Sequence, residues 1–139
     1  MTEMTPRTIV ERMFSVEMAF LNSDRKDLRP LTRAFAVDVL VREPQSLPYR
    51  GDWAGIEGIA ELMARMNDVW SDMSIDELDV AGSQGRIYLS CKLTVVSRGS
   101  GKTVTQPFCE RLHFRDGLLV EGIPFYYDTQ ALLDVIAEN

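Results

Sequence analysis

The chain has 139 residues, 45% hydrophobic and 26% charged, enough for one domain over residues 1–139 with a real core and the balance of a soluble globular protein. Its 21 acidic residues against 15 basic ones leave a formal charge of −6, which argues against nucleic acid and anionic membrane as main partners, since both are held through Lys/Arg patches. No apolar run approaches the roughly 20 residues of a membrane span, and the first twelve residues lack a signal pattern, so a cytoplasmic location is expected. There a disulfide between Cys91 and Cys109 is disfavoured, and with a single histidine a zinc site has little to work with.

Thr5-Pro6 reads as an N-cap with proline at the first helical position. Val10, Met13, Phe14, Glu17 and Leu21 follow at helical spacing, which predicts a helix to about Asn22. A second helix is expected over Leu28–Ala36, with Pro30 in its first turn. Residues 37–42 are β-rich and end at Glu43-Pro44, because the residue before a proline leaves helical geometry. A loop over 45–52 carries Tyr49, and Asp52 is placed to cap a third helix whose buried stripe is Ile56, Ile59, Met63, Met66 and Trp70.

The second half reads as sheet. Met73–Ala81 alternates imperfectly, as a bulged strand does. Ile87, Leu89, Cys91, Leu93 and Val95 alternate cleanly with polar neighbours, and Gly99-Ser100-Gly101 closes a hairpin. The string Gly99-Ser100-Gly101-Lys102-Thr103 imitates the end of a P-loop, but Val96 stands where the leading glycine belongs and strand follows where a helix should open. Asp116-Gly117 marks a two-residue turn into a last strand, and Asp128 or Thr129 caps a closing helix with Leu132, Leu133 and Ile136 inward.

Chemistry centres on two acids in apolar company. In Phe108-Cys109-Glu110-Arg111-Leu112-His113-Phe114, period-2 alternation puts Glu110 on one face with Phe108, Leu112 and Phe114. A shift of one residue would instead turn Arg111 and His113 inward. Glu17 falls inside the apolar stripe of the first helix. A carboxylate is costly in such surroundings unless paired, hydrogen-bonded or protonated. A pocket acid with a raised pKa and a carboxylate closed by a buried arginine both remain open. Tyr49, Trp53, Trp70 and Tyr126 offer apolar bodies with polar tips for a ligand cavity. Phe14, Met18, Met63, Met66, Phe108, Leu112 and Phe114 supply its apolar wall.

Helices followed by consecutive antiparallel strands is an α+β order. That order resembles the SnoaL-like and ketosteroid-isomerase-like branch of the nuclear transport factor 2-like superfamily. The strings that carry the resemblance are Phe35-Ala36-Val37-Asp38 into Val41-Arg42-Glu43-Pro44, Tyr49-Arg50-Gly51, His113-Phe114-Arg115-Asp116-Gly117 and Phe125-Tyr126-Tyr127-Asp128. The resemblance implies a curved, mainly antiparallel sheet wrapped around N-terminal helices to form a cone-shaped pocket. It also implies a homodimer through the outer sheet face, with His113 on that face. By the same likeness Glu43 stands where the branch keeps a general base, Glu110 where it keeps a neutral acid in an oxyanion hole, and Glu17 where it keeps a tyrosine. The ketosteroid isomerase acid held neutral by an apolar site is a known example of the principle.

The leading expectation is a cofactor-independent isomerase or cyclase acting on a small apolar carbonyl substrate through Glu43, Glu110 and Glu17. The alternative is a ligand-binding or dimerising module without turnover, in which Arg42 or Arg111 closes the carboxylates into ion pairs. An epoxide hydrolase-like site is a third reading, for which Arg111 and Asp128 supply only parts.

Overall fold

A computed structural model describes residues 4–137. Helix α1 (Pro6–Leu21) is followed by a 3-10 turn (Arg29–Arg33), strands β1 (Phe35–Glu43) and β2 (Gly51–Ala54), and helix α2 (Gly55–Val69). Strands β3 (Trp70–Gly82), β4 (Arg86–Ser97), β5 (Thr103–Arg115) and β6 (Leu118–Tyr126) then run consecutively into helix α3 (Thr129–Ala137). The strands form one six-stranded sheet in the order β2-β1-β6-β5-β4-β3. Neighbours are antiparallel except β1 and β6, which pair in parallel. The sheet and its N-terminal helices are the α+β roll that the element order implied. No helix among the described residues is long and apolar enough to cross a membrane.

Local chemistry explains most of these elements. The Thr5 side chain accepts from the Thr8 N–H at 3.2 Å, satisfying a donor that α1 cannot. Ile9, Val10, Met13 and Phe20 form its buried side. In β4 the inward residues Ile87, Leu89, Cys91, Leu93 and Val95 are all buried, while Arg86, Tyr88, Ser90 and Lys92 face out. Asp116 and Gly117 both take positive φ, 53° and 77°, the geometry of a tight hairpin turn. The bulge expected in β3 is present as register shifts at Trp70/Asp72 and Asp76/Asp79. Asp128 caps α3 by accepting from the Ala131 N–H at 3.1 Å. Buried Gln106 holds that corner, donating to the Asp128 carbonyl at 3.1 Å and accepting its N–H at 3.0 Å.

Three expectations need correction. The second helix is only the 3-10 turn Arg29–Arg33, because the chain is captured by the sheet directly after it. Leu119 N donates to Ala34 O at 2.8 Å, and Phe35 already pairs with Leu119. Asp52 does not cap α2: it lies in β2 opposite Arg42, and the helix starts after Ala54 without a side-chain cap. Trp70 is the first residue of β3 rather than the last of a helix, although its ring is buried as the stripe required.

The β3–β4 hairpin turns on Gly82, at φ 124°. A Cβ there would collide with the Arg86 carbonyl oxygen, which already accepts from the Ser83 N–H at 2.8 Å. Gly82→Ala is therefore expected to cost about 2 kcal/mol or more, read as a lowered urea midpoint. An unchanged midpoint would show that the hairpin relaxes freely.

Candidate active site

A cavity of about 500 Å³ lies between α1, α2 and the inner face of the sheet. Its wall is largely apolar, with Phe14 and Met18 from α1, Met63 and Met66 from α2, Trp70 from β3 and Phe108 from β5. Four carboxyl residues line it, of which Glu17, Glu43 and Glu110 are drawn out of water while Asp72 stays exposed. Each of those three arrives by simple periodicity. Glu17 follows buried Met13 by four residues and precedes buried Phe20 by three, so α1 turns it inward. Glu43 continues the inward series Val39, Val41 at period 2 in β1. Glu110 lies between buried Phe108 and Leu112, while Cys109, Arg111 and His113 are exposed on the opposite face. The one-residue slip that would have exchanged Glu110 for His113 does not occur.

Among the described residues, no lysine, arginine or histidine lines the cavity. Arg42 pairs with Glu121 at 3.3 Å instead, and Arg111 and Lys92 point to the outer face. The arginine-closed arrangement is thus not the one formed. Asp128 is exposed at the start of α3 and Arg111 lies across the sheet, so the fragments of an epoxide hydrolase-like set are not brought together at the cavity.

Without a counter-charge, the acids hold their protons. Burial raises Glu17 to about 7. Burial, reinforced by the charge of Glu17, raises Glu43 to about 8, with the Tyr126 hydroxyl partly offsetting the rise. Glu110 is pushed well above the usual carboxylate range by burial and then by Glu17 and Glu43. Glu43 is only 8% exposed, and its Oε1 is buried without a hydrogen-bond partner.

Behind the cavity runs a chain of hydroxyls. The Trp70 indole N–H donates to the Tyr49 hydroxyl at 3.1 Å, and that hydroxyl lies 3.1 Å from the Tyr126 hydroxyl. Tyr49 is fully buried. An indole can only donate, and a buried phenol proton needs an acceptor. The polarity that satisfies every group is Trp70 to Tyr49 to Tyr126. It leaves the Tyr126 hydrogen for Glu43, whose rise that hydroxyl partly offsets, and Tyr126 is part of the cavity wall.

Four residues expected at the cavity are elsewhere. Tyr49 is enclosed behind it, and Trp53, whose indole N–H donates to the Tyr49 carbonyl at 3.0 Å, braces that residue from β2. Leu112 is buried core, and Phe114 lines a separate hollow with Met4, Ile9 and Gly117. Strand geometry is the reason: six residues of strand span about 20 Å, so Phe108 and Phe114 cannot border one small cavity. Phe14, Met18, Met63, Met66, Trp70, Phe108 and Tyr126 do line it. Sequence reasoning missed Phe35, Val41, Leu93 and Pro124, which carry no signal separating cavity wall from core. It also missed Asn67, which follows Met63 by one helical turn, and Ser71 and Asp72 beside the β3 irregularity.

The raised acids have a thermodynamic signature. Between pH 4.5 and about 7 the unfolded chain ionises Glu17 while the folded one keeps it protonated, so stability falls as pH rises through that window and levels off above it. The loss amounts to about 3 kcal/mol at most. Glu17→Gln is expected to match the parent near pH 4, exceed its melting temperature at pH 8 and flatten the slope between. A slope unchanged by the substitution would place Glu17 in water.

Comparisons with known proteins follow this geometry. A search of curated proteins finds no match. Among solved structures, TerC co-crystallised with polyporic acid superposes at TM-score 0.74 with 21% identity, over 92% of this chain and 97% of that one. A protein of ketosteroid isomerase-like fold from Catenulispora acidiphila, in complex with trimethylamine, gives 0.70 at 12% identity over 91% and 93%. A candidate polyketide cyclase from Xanthomonas campestris gives 0.69 at 19% over 95% and 98%. At these identities the likeness speaks for the fold alone. The profile of the SnoaL-like domain matches residues 10–122, most of the chain from α1 to β6, and the protein belongs to that family.

Proposed function

We propose that the cavity is a cofactor-independent acid–base site for a small, mostly apolar carbonyl compound, working as an isomerase or cyclase. The observation that carries this reading is the meeting of three carboxyls in one apolar hollow with no basic side chain on its wall. Ionised Glu43 removes a proton from the carbon beside the carbonyl. The electron pair passes through the new C–C double bond to oxygen. Neutral Glu110 donates a hydrogen bond to that oxygen, while the Tyr126 hydroxyl stays on Glu43. Where a C–C double bond is conjugated with the enolate, the γ-carbon takes the proton back from Glu43; in a cyclisation the α-carbon attacks a second carbonyl of the same molecule, and the alkoxide formed takes that proton. Glu17 orients the substrate. A base at about 8 beside an acid raised well above its ordinary value divides the two roles by environment. The ligands seen in structural relatives, polyporic acid and trimethylamine, fit the reading that this hollow holds small molecules.

The outer sheet face, with Tyr88 half exposed on β4 and Phe125 half exposed on β6, is the surface through which we place a homodimer.

Exchange of α-protons for deuterium across a panel of ketones and lactones, followed by NMR, tests the chemistry. Rates are expected to rise with pH through about 8 as Glu43 ionises, and to fall once Glu110 loses its proton. Glu43→Gln should lower them by roughly 10²–10⁴-fold. Absence of exchange with every compound, or full exchange by the Gln variant, would leave a binding module without turnover.

A further inference from the structure

We propose that the ligand of this cavity carries a cationic amine, an alkylammonium centre seated between the Glu17 carboxyl and the aromatic wall. The inference rests on the reading of the cavity as the ligand site and names the charge of what fills it.

Acid–base work on a carbonyl needs one base and one donor, which Glu43 and Glu110 supply. Glu17 is a third carboxyl left over, and burial is the sole cause of its shift, with no hydrogen-bonding or charged neighbour contributing. Among the described residues, every ionisable group that lines the cavity with it is acidic or phenolic: Glu43 from β1, Asp72 from β3, Glu110 from β5 and Tyr126 from β6. Helix α2 contributes Asn67 and apolar side chains, and no charge. A positive centre is what this wall lacks. Independently, Glu43, which lines the cavity, is nine-tenths buried and its Oε1 has no hydrogen-bond partner. The rings of Phe14, Trp70, Phe108 and Tyr126 line the same hollow, and aromatic faces attract an alkylammonium once it leaves water. Among the described residues no three acidic, histidine or cysteine side chains are grouped to hold a metal ion. An organic cation, large enough to touch carboxyl and ring together, is the better fit. The formal charge of −6 draws cations toward the surface as well.

The proton inventory balances. A permanent cation binding beside a protonated Glu17 expels that proton to solvent and leaves a carboxylate–ammonium pair. A free amine takes the same proton and forms the same pair. Affinity for a permanent cation therefore rises with pH, by up to about tenfold per unit below the pKa of Glu17.

The test compares benzyltrimethylammonium with its uncharged carbon isostere, neopentylbenzene, by NMR titration between pH 6 and 8. The cation is expected to bind at least tenfold more tightly at pH 8, with affinity that rises with pH, while the isostere shows no pH dependence. In Glu17→Gln the preference at pH 7, below the range in which Glu43 ionises, should fall to near parity and the gain in affinity between pH 6 and 7 should vanish, with the isostere bound at least as well as before, which confirms an intact cavity. Equal or tighter binding of the isostere by the parent, a preference that survives in Glu17→Gln, or binding of neither probe would overturn the inference. Ketone exchange that depends on Glu43 yet accompanies any of those results would sink the cationic ligand alone and leave the acid–base site standing.

Discussion

Three carboxyls share one hollow without a cation, and the rest of the molecule is organised around tolerating that. Taking a charged carboxylate out of water costs several kcal/mol even after relaxation. The protein meets this cost by keeping protons on: Glu17 at about 7, Glu43 at about 8 and Glu110 higher still. The arginines that could have neutralised them are employed elsewhere. Arg42 holds Glu121, Arg115 holds Asp38 at 2.9 Å, and Arg12 reaches the Gly117 carbonyl at 2.6 Å. Neutral acids in a dry pocket are donors as well as acceptors, and that doubles the chemistry available to one residue type.

The hollow exists because the roll leaves a gap between its layers. Helices α1 and α2 pack on the inner sheet face through Ile9, Val10, Met13, Ile59 and Leu62, and the core is continuous behind the cavity. Toward β1 and β6 the gap is backed by the Trp70–Tyr49–Tyr126 chain, which supports its polar floor. Tyr49 is the keystone of that chain although it touches no ligand space. It fixes the direction in which the Tyr126 proton points, and Trp53 fixes Tyr49 in turn through its carbonyl.

Acid–base chemistry and a cationic ligand draw on the same surplus. Two of the acids divide the base and donor roles, and the third supplies the negative charge that a substrate cation would need. A carbonyl compound bearing an amine would use all three, and the low dielectric that raises the acids would also strengthen the pair once formed.

Much of this was legible in the amino acids themselves. The period-2 series through Phe108, Glu110 and Leu112 placed one acid inward and the helical stripe from Val10 to Leu21 placed a second, while Glu43 was reached only through the family resemblance. Thr5-Pro6 and Asp116-Gly117 marked a helix start and a turn through local backbone chemistry alone. Tertiary structure decided the remainder. Residues 35–36 became strand because β6 offered a partner, a contact more than 80 residues away in the chain that no local preference encodes. Which apolar side chains border empty space and which fill the core depends on where two layers part. For that reason Phe108 lines the cavity while Phe114, on the same face of the same strand, lies in another hollow. Periodicity sets the side on which a residue stands; only the packed layers determine what it meets there.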